Sequence, residues 1–290
     1  MLYPQVTIEI EPFSPALDQI VRAPLIAEQI ATGFGFTEGP VWMPGDFLVF
    51  SDIPGDTIYR WDARVGASIY RRPSANANGN TIDAAGRLIT CEHSGRRVAR
   101  EERDGNLTTL AAHYNGQRLN SPNDVVVHSS GAVYFTDPPF GLPNGRDGAE
   151  LGFSGVYRIA PDGALALLSD ALDGPNGLAF SPDERILYVN DSRRNELYAF
   201  DVLADGGVAN ARLIATTDRA AGAGNPDGMK LDSAGAIFMT GPGGVWIFAS
   251  SGERLGLLRF PERTANLAWG AERGELYVTA TTSVYRVTIR

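Results

Sequence analysis

Asn176-Gly-Leu-Ala-Phe, residues 176–180, places an oxygen-bearing side chain directly before a short apolar strand, and five other segments share this arrangement. They are Glu38-Gly-Pro-Val-Trp, Asn78-Gly-Asn-Thr-Ile, Asn123-Asp-Val-Val-Val, Asp227-Gly-Met-Lys-Leu and Asn266-Leu-Ala-Trp. Successive segments begin 40, 45, 53, 51 and 39 residues apart. A repeat of about 40–50 residues, each holding several short β-rich stretches, is typical of a β-propeller.

The repeat predicts an all-β protein, a six-bladed β-propeller with a short N-terminal extension. We place the propeller, as a single catalytic domain, over residues 31–290 and the extension over residues 1–30, where no blade pattern is visible. Residues 14–30 allow a short helix, although Pro15 and Pro24 weaken it. The 33 glycines and 18 prolines are dispersed among the repeats. No linker between domains is therefore indicated.

The six repeated positions form a candidate metal site. The first strand of a propeller blade lines the central axis, so these positions should converge on one point. They carry two carboxylates and four amides, and hard oxygen ligands of this kind suit Ca²⁺ or Mg²⁺. Taken singly, an Asn-Gly or Asp-Gly dipeptide is typical of a turn, but the shared register favours a site.

We predict four ligands for one divalent cation, with Ca²⁺ as first choice and Mg²⁺, Mn²⁺ or Zn²⁺ as alternatives. These ligands are Glu38, Asn123, Asn176 and Asp227. Their charges sum to −2, which matches the cation. Asn78 and Asn266 hold the same register in weaker sequence contexts.

The composition argues against several classes of function. A net charge of −9 and a pI near 4.9 argue against nucleic acid as a partner. No apolar run approaches the ~20 residues of a membrane-spanning helix. The N-terminal residues show neither a basic nor an apolar signal region, so we expect a cytoplasmic protein, or a periplasmic one if that end was trimmed. We expect a monomer or homodimer whose partner is a small molecule.

Five motifs resemble those of the SMP-30/gluconolactonase/LRE-like family, in order and over about residues 33–290. They are Phe36-Thr-Glu-Gly-Pro40, Leu119-Asn-Ser-Pro-Asn-Asp124, Phe135-Thr-Asp-Pro138, Gly174-Pro-Asn-Gly-Leu178 and Asn225-Pro-Asp-Gly-Met229. The resemblance implies a six-bladed propeller with one axial divalent cation, mostly acting as a lactonase on sugar lactones. It also implies the same four metal ligands, substrate contacts near Arg118 and Asn120, and a catalytic base at Asp227.

The expected reaction is metal-dependent hydrolysis of a sugar lactone to the aldonic acid. The cation would polarise the carbonyl, and a carboxylate would take a proton from the attacking water. Asp227 is the first choice for this base, with Glu38 and Asp191 behind it.

We expect further substrate contacts from loops on the face of the propeller where the site lies. The candidates are Arg118, Asn120, Asn78, His93, Asp137 and Asp191. Arg118 could equally be a solvated loop charge, and His93 a structural side chain. The long loop after Asp137 should form part of the substrate wall.

Two alternatives remain open. One is a related phosphotriesterase or aryl-esterase, because a fold does not fix its substrate. The other is a non-catalytic propeller that serves as a binding scaffold, with a purely structural cation.

Overall fold

The computed structural model describes residues 2–272 and 274–289 and is all-β. Four separate antiparallel sheets have four strands each. The first contains β3 Thr37–Met43, β4 Phe47–Asp52, β5 Thr57–Asp62 and β6 Gly66–Arg71; the second contains β7 Ala77–Ile82, β8 Leu88–Glu92, β9 Arg97–Glu101 and β10 Leu107–Ala111. The third contains β13 Val125–Val127, β14 Val133–Asp137, β15 Gly155–Ile159 and β16 Leu165–Ser169; the fourth contains β17 Pro175–Phe180, β18 Ile186–Asp191, β19 Glu196–Val202 and β20 Val208–Thr216.

The remaining long strands form one nine-stranded sheet in the order β21-β22-β23-β24-β1-β2-β27-β26-β25. Their bounds are β1 Gln5–Pro12, β2 Leu25–Thr32, β21 Met229–Leu231, β22 Ile237–Gly241, β23 Gly244–Phe248, β24 Arg254–Arg259, β25 Thr264–Trp269, β26 Glu275–Ala280 and β27 Ser283–Thr288. Short elements complete the described chain: the hairpin β11 His113–Tyr114 and β12 Gln117–Arg118, and 3-10 turns at Pro15–Gln19, Pro139–Gly141, Pro143–Gly145 and Arg219–Ala221. None of the helical segments in this part of the chain has the length and apolar character needed to cross a membrane.

The first strand of each four-stranded unit is the innermost one. β3 is buried along most of its length, whereas β6, at the other edge of the same sheet, is largely exposed. The inner strands contact one another in the order β3, β7, β13, β17, β21, β25 and back to β3. Repeated four-stranded sheets around a common axis are the arrangement of a β-propeller.

The extension predicted over residues 1–30 is instead part of the sheets, which corrects the sequence-based boundary. β2 crosses residue 30 and pairs with β27, with Ala27 opposite Val287. β1 pairs with β2 on one side and with β24 on the other. The helix allowed over residues 14–30 is only the short 3-10 turn at Pro15–Gln19. The N-terminal segment therefore joins the last two four-stranded units of the chain.

The glycines that follow the repeated polar residues serve close packing rather than turns. Gly39, Gly79 and Gly177 lie inside β3, β7 and β17, each at a shift in strand register. The Gly79 amide donates to the carbonyl oxygen of Asn123 at 2.8 Å. A β-carbon on Gly177 would lie 2.1 Å from the Asp227 carbonyl oxygen. Neighbouring inner strands thus meet where a side chain has no room. The turn interpretation is wrong for the dipeptides Asn78-Gly79 and Asn176-Gly177, which lie inside strands.

We predict that Gly228→Ala severely destabilises the protein, because the new β-carbon would lie 2.0 Å from Cγ of Asn266. Urea unfolding should show a loss of several kcal/mol, or no folded protein at all. Gly152→Ala is the matched control, since its β-carbon would meet nothing within 4 Å. Equal stability of the two variants would contradict the packing argument.

Leu17 tests whether the N-terminal segment belongs to the core. It is 1% exposed and packs in the apolar cluster that also contains Leu258 and Val287. Leu17→Ala should lower the free energy of unfolding by about 2–5 kcal/mol. Leu2→Ala makes the same change at a fully exposed position and should alter stability by less than about 0.5 kcal/mol. A Leu17→Ala protein as stable as the Leu2→Ala control would mean that the segment is dispensable.

Candidate functional site

The inner strands surround an open cavity of about 450 Å³ at one end of the axis. The structure brings five of the six repeated polar residues to its wall. They are Glu38, Asn78, Asn123, Asn176 and Asp227. The sixth, Asn266, lies behind Glu38 and donates from Nδ2 to its Oε2 at 3.0 Å. His93, a predicted substrate contact, also lines the cavity.

The two carboxyl groups of the ring interact directly and are buried, with Glu38 3% and Asp227 9% exposed. Burial, aided by the charge of Asp124, raises the pKa of Glu38 to about 7, although hydrogen bonds from Gly39 and Asn266 oppose the rise. Burial and the neighbouring Glu38 raise the pKa of Asp227 well above its usual range, and Arg263 opposes this. Two adjacent buried carboxylates cannot both ionise cheaply without a cation.

Two amide oxygens on the same wall have no partner among the described residues. Asn176 donates from Nδ2 to Ser192 Oγ at 3.0 Å, and its buried Oδ1 accepts nothing. Oδ1 of Asn78 is also buried and accepts no hydrogen bond from the described residues. Leaving a buried acceptor unsatisfied costs about 1–3 kcal/mol. The carboxyl pair and Oδ1 of Asn176 therefore fit a hard divalent cation, whereas Oδ1 of Asn78 remains as a further acceptor on the wall.

The donor chemistry of the site also bears on the kind of metal. Within residues 2–272 and 274–289 there is no group of three or more His, Cys, Asp or Glu side chains suited to a metal. The ring offers carboxylate and amide oxygens instead. Such a set fits Ca²⁺, Mg²⁺ or Mn²⁺ better than a metal that prefers nitrogen or sulfur.

His93 holds Asn78 in place. Its Nε2 lies 3.0 Å from Asn78 Nδ2, and burial lowers the pKa of His93 to about 4. The imidazole is therefore neutral at neutral pH. With its proton on Nδ1, it accepts the Asn78 amide hydrogen at Nε2, and Oδ1 of Asn78 stays available to a ligand.

Asp137 and Asp191, predicted as substrate contacts, do not lie on the cavity wall. Both are fully buried. Asp137 accepts the Asn120 amide at 2.8 Å, and Asp191 accepts the amides of Asp173 and Gly174 at 2.7 and 3.1 Å. Each carboxylate ends a second strand and anchors the loop that leads into the inner strand of the same sheet. This corrects the sequence-based roles of both residues, including Asp191 as a reserve base.

Arg118 and Asn120 are also absent from the wall. Arg118 is exposed on β12, and its backbone amide donates to Glu150 Oε2 at 2.7 Å. Asn120 is 1% exposed, and its Nδ2 donates to the carbonyl oxygens of Asp137 and Phe153 at 3.0 and 2.9 Å. Its role is to hold the loop after Asp137. That loop does reach the cavity, through Phe140.

Comparison with known proteins places the chain in a family. The family model described as the SMP-30/gluconolactonase/LRE-like region matches residues 36–282. The chain belongs to this family. It is 36% identical to a gluconolactonase of Zymomonas mobilis, over 96% of this chain and 85% of the relative.

Solved structures agree with this assignment. A gluconolactonase from Xanthomonas campestris superimposes with a TM-score of 0.90 at 33% identity, covering 100% of this chain and 98% of the other. A calcium-binding protein, regucalcin, from Agrobacterium tumefaciens superimposes with a TM-score of 0.73 at 20% identity, covering 89% and 93%. The second likeness concerns the fold alone.

Three arginines line the cavity although the sequence did not predict them as site residues: Arg193, Arg219 and Arg263. Arg193 follows a second strand, as His93 does, while Arg219 and Arg263 precede inner strands, as Arg118 does. The loop position that singled out Arg118 therefore also applied to them. The net charge of the chain gave no sign of a local positive patch, because the chain as a whole is acidic.

The buried carboxyl pair gives the metal-free protein a defined pH dependence. The pKa of Glu38 is about 7 in the folded state against an ordinary 4.5, so between these values the folded state binds more protons than the unfolded one. The free energy of unfolding in EDTA should therefore fall, by roughly 1–3 kcal/mol, as pH rises through this window. Saturating Ca²⁺ should remove the fall, because the ionised pair is then neutralised.

Urea unfolding at several pH values, with EDTA or with Ca²⁺, measures this effect. Glu38→Gln should reduce the dependence in EDTA, with the remainder due to the buried Asp227, whereas Glu253→Gln, an exposed position, should leave it unchanged. The same slope in EDTA and in Ca²⁺ would show that the pair does not receive a cation.

Proposed function

We propose that this chain is a metal-dependent lactonase that hydrolyses a sugar lactone to the aldonic acid at the axial cavity. The observation that carries the proposal is the meeting of two buried carboxyl groups, Glu38 and Asp227, with amide oxygens that lack partners in the described chain. Further support comes from the two gluconolactonases, with 36% and 33% identity over nearly all of this chain.

We also propose that the propeller has six blades. Support comes from the closed order of contacts between inner strands, which runs from β3 through β7, β13, β17, β21 and β25 back to β3. In this assignment the last blade consists of β25, β26, β27 and β2, so an N-terminal strand completes a C-terminal blade. Such a closure joins both ends of the chain in one sheet.

The cation, with Ca²⁺ as first choice, would be held by Glu38, Asn123, Asn176 and Asp227. When bound, it supplies charge that polarises a lactone carbonyl and stabilises the oxyanion that develops there. The regucalcin with the same fold is named as a calcium-binding protein, which agrees with this choice. Oδ1 of Asn78 is then a hydrogen-bond acceptor for a substrate hydroxyl, fixed in orientation by His93.

Asp227 is the proposed base. A water attacks the carbonyl carbon, and the Asp227 carboxylate takes one of its protons. The ring C–O bond then breaks, and the proton passes to the leaving ring oxygen. One water is consumed and one acid group is formed. Arg263 favours the ionised form of Asp227 that this step needs.

The remaining wall of the cavity suits a small polar ring. Phe36, Ile53 and Phe140 give it apolar surface, against which the carbon atoms of such a ring can pack. The volume of about 450 Å³ lies within the range of small-molecule sites. A cation bound only for stability would not need an open polar cavity of this kind.

Asp227→Asn tests the base. The amide keeps an oxygen ligand but cannot accept a proton, so kcat for glucono-δ-lactone should fall by about 10²–10⁴-fold at saturating Ca²⁺. A pH-indicator assay measures the acid released, and circular dichroism checks the fold. Asp18→Asn, an exposed position far along the chain, is the matched control.

The alternatives are tested in the same assay with phenyl acetate and a phosphotriester. Turnover of these esters without turnover of any lactone would make the lactonase proposal wrong. A wild-type protein that binds Ca²⁺ but turns over none of them would favour the scaffold. Asp227→Asn activity within a few-fold of the wild type would transfer the role of base to Glu38.

A further inference from the structure

The wall of the cavity carries three positively charged side chains. Arg193, Arg219 and Arg263 all line it, in a protein whose net charge is −9. The only acidic side chains on the same wall in the described chain are Glu38 and Asp227. A divalent cation would neutralise that pair, so the arginines without an acidic partner would then give the cavity a net positive charge.

Arg263 has no acidic partner of its own. Its guanidinium lies 5.5 Å from the centre of the Phe36 ring, and no ion pair to a carboxylate at 4.0 Å or less involves it within residues 2–272 and 274–289. It is close enough to Asp227 to lower the pKa of that group. The charge of Arg263 is thus held at the cavity by an aromatic face and remains available to a ligand.

Arg219 is fixed by neutral acceptors. Its Nη2 donates to the Arg193 carbonyl oxygen at 2.5 Å. When the Asn195 amide is oriented to donate to Thr217, its Oδ1 accepts from Arg219 Nη2 and Nε at 2.8 and 2.9 Å. None of these acceptors carries charge. Arg219 is therefore oriented without being neutralised, whereas Arg193 forms an ion pair with Asp173 at 3.0 Å.

Arg219 and Arg263 stand on neighbouring parts of the wall. Gly224, in the loop that runs from Arg219 to Asp227, packs against Arg263, since a β-carbon there would lie 3.6 Å from its Cγ. A carboxylate or phosphate binds two uncompensated guanidinium groups more strongly than a neutral polyhydroxylated ring does, because it accepts paired, charge-assisted hydrogen bonds from a planar guanidinium.

We propose that the preferred substrate is a lactone carrying a second acidic group, a carboxylate or a phosphate, which Arg219 and Arg263 bind. This inference rests on the proposed lactonase function and narrows its substrate class. The ring carbonyl would lie at Glu38 and Asp227, and the acidic group would lie at the two arginines. Arg219 and Arg263 act as specificity residues in this arrangement.

The test compares three lactones at saturating Ca²⁺: neutral glucono-δ-lactone, 6-phosphoglucono-δ-lactone and glucarolactone. The wild type should show a kcat/KM about tenfold or more higher for at least one acidic lactone. The phosphate and carboxylate compounds distinguish the two sources of charge. The preference should shrink as ionic strength rises from about 0.05 to 0.5 M, since exposed charges are screened.

Arg263→Gln and Arg219→Gln should each lower kcat/KM for the acidic lactone about ten- to hundredfold more than for the neutral one, mainly through KM. Arg185→Gln removes the same charge at a side chain that is 85% exposed and outside the cavity, and should change none of the values. Circular dichroism verifies that each variant is folded.

The outcomes separate this inference from the proposed function. A wild type that hydrolyses all three lactones equally, with equal losses in Arg263→Gln, would overturn the inference and leave the lactonase intact. If no lactone is hydrolysed, titration calorimetry of 6-phosphogluconate against gluconate decides. Tighter binding of the phosphorylated acid, lost in Arg263→Gln, would support the acidic subsite, and equal binding would refute it.

Discussion

The close approach of neighbouring inner strands at the axis is the constraint on which the rest of the molecule depends. Gly177 and Gly228 leave no room for a β-carbon beside Asp227 and Asn266. Backbone hydrogen bonds, such as Gly79 to Asn123 and Gly228 to Ala265 at 2.8 Å each, then tie one sheet to the next. The residues before these glycines are Asn78, Asn176 and Asp227. Because the backbone on either side of them is closely packed, the direction in which each side chain leaves the backbone is fixed. The geometry of the site is therefore set by backbone packing.

This packing has an electrostatic consequence. It buries Glu38 and Asp227 together and leaves amide oxygens of Asn78 and Asn176 without partners in the described chain. Water would normally solvate such groups, and removing it penalises the charged forms. The raised pKa values of both carboxyl groups express that penalty. Because ionised carboxylates at this ring are unfavourable without a counter-charge, binding of a divalent cation there would be favourable.

The sequence predicted the ring because register is a local property that repeats along the chain. It could not reveal that β2 pairs with β27, since Ala27 and Val287 lie at opposite ends of the chain and no local pattern joins them. Loop position correctly brought His93 to the cavity but also suggested Asp137 and Asp191. Those two carboxylates face backbone amides instead. Sequence places a loop on a face of the propeller, whereas hydrogen bonding decides where each side chain points.

The site thus has two parts that differ in how firmly the backbone holds them. Four ring residues stand on inner strands: Glu38, Asn78, Asn176 and Asn266. Asn123 and Asp227 lie two residues before such strands, but their backbone amides donate to the second strands of their sheets, at Thr136 and Thr240. Arg219 and Arg263 stand in loops before the strands. Substituting an arginine in a loop leaves the strand contacts intact, whereas substituting a ring residue disturbs the axis. Selection for a different lactone can therefore act on the loops without loss of the reaction. On this reasoning, members of the family should keep the ring and differ in the charge of the surrounding wall.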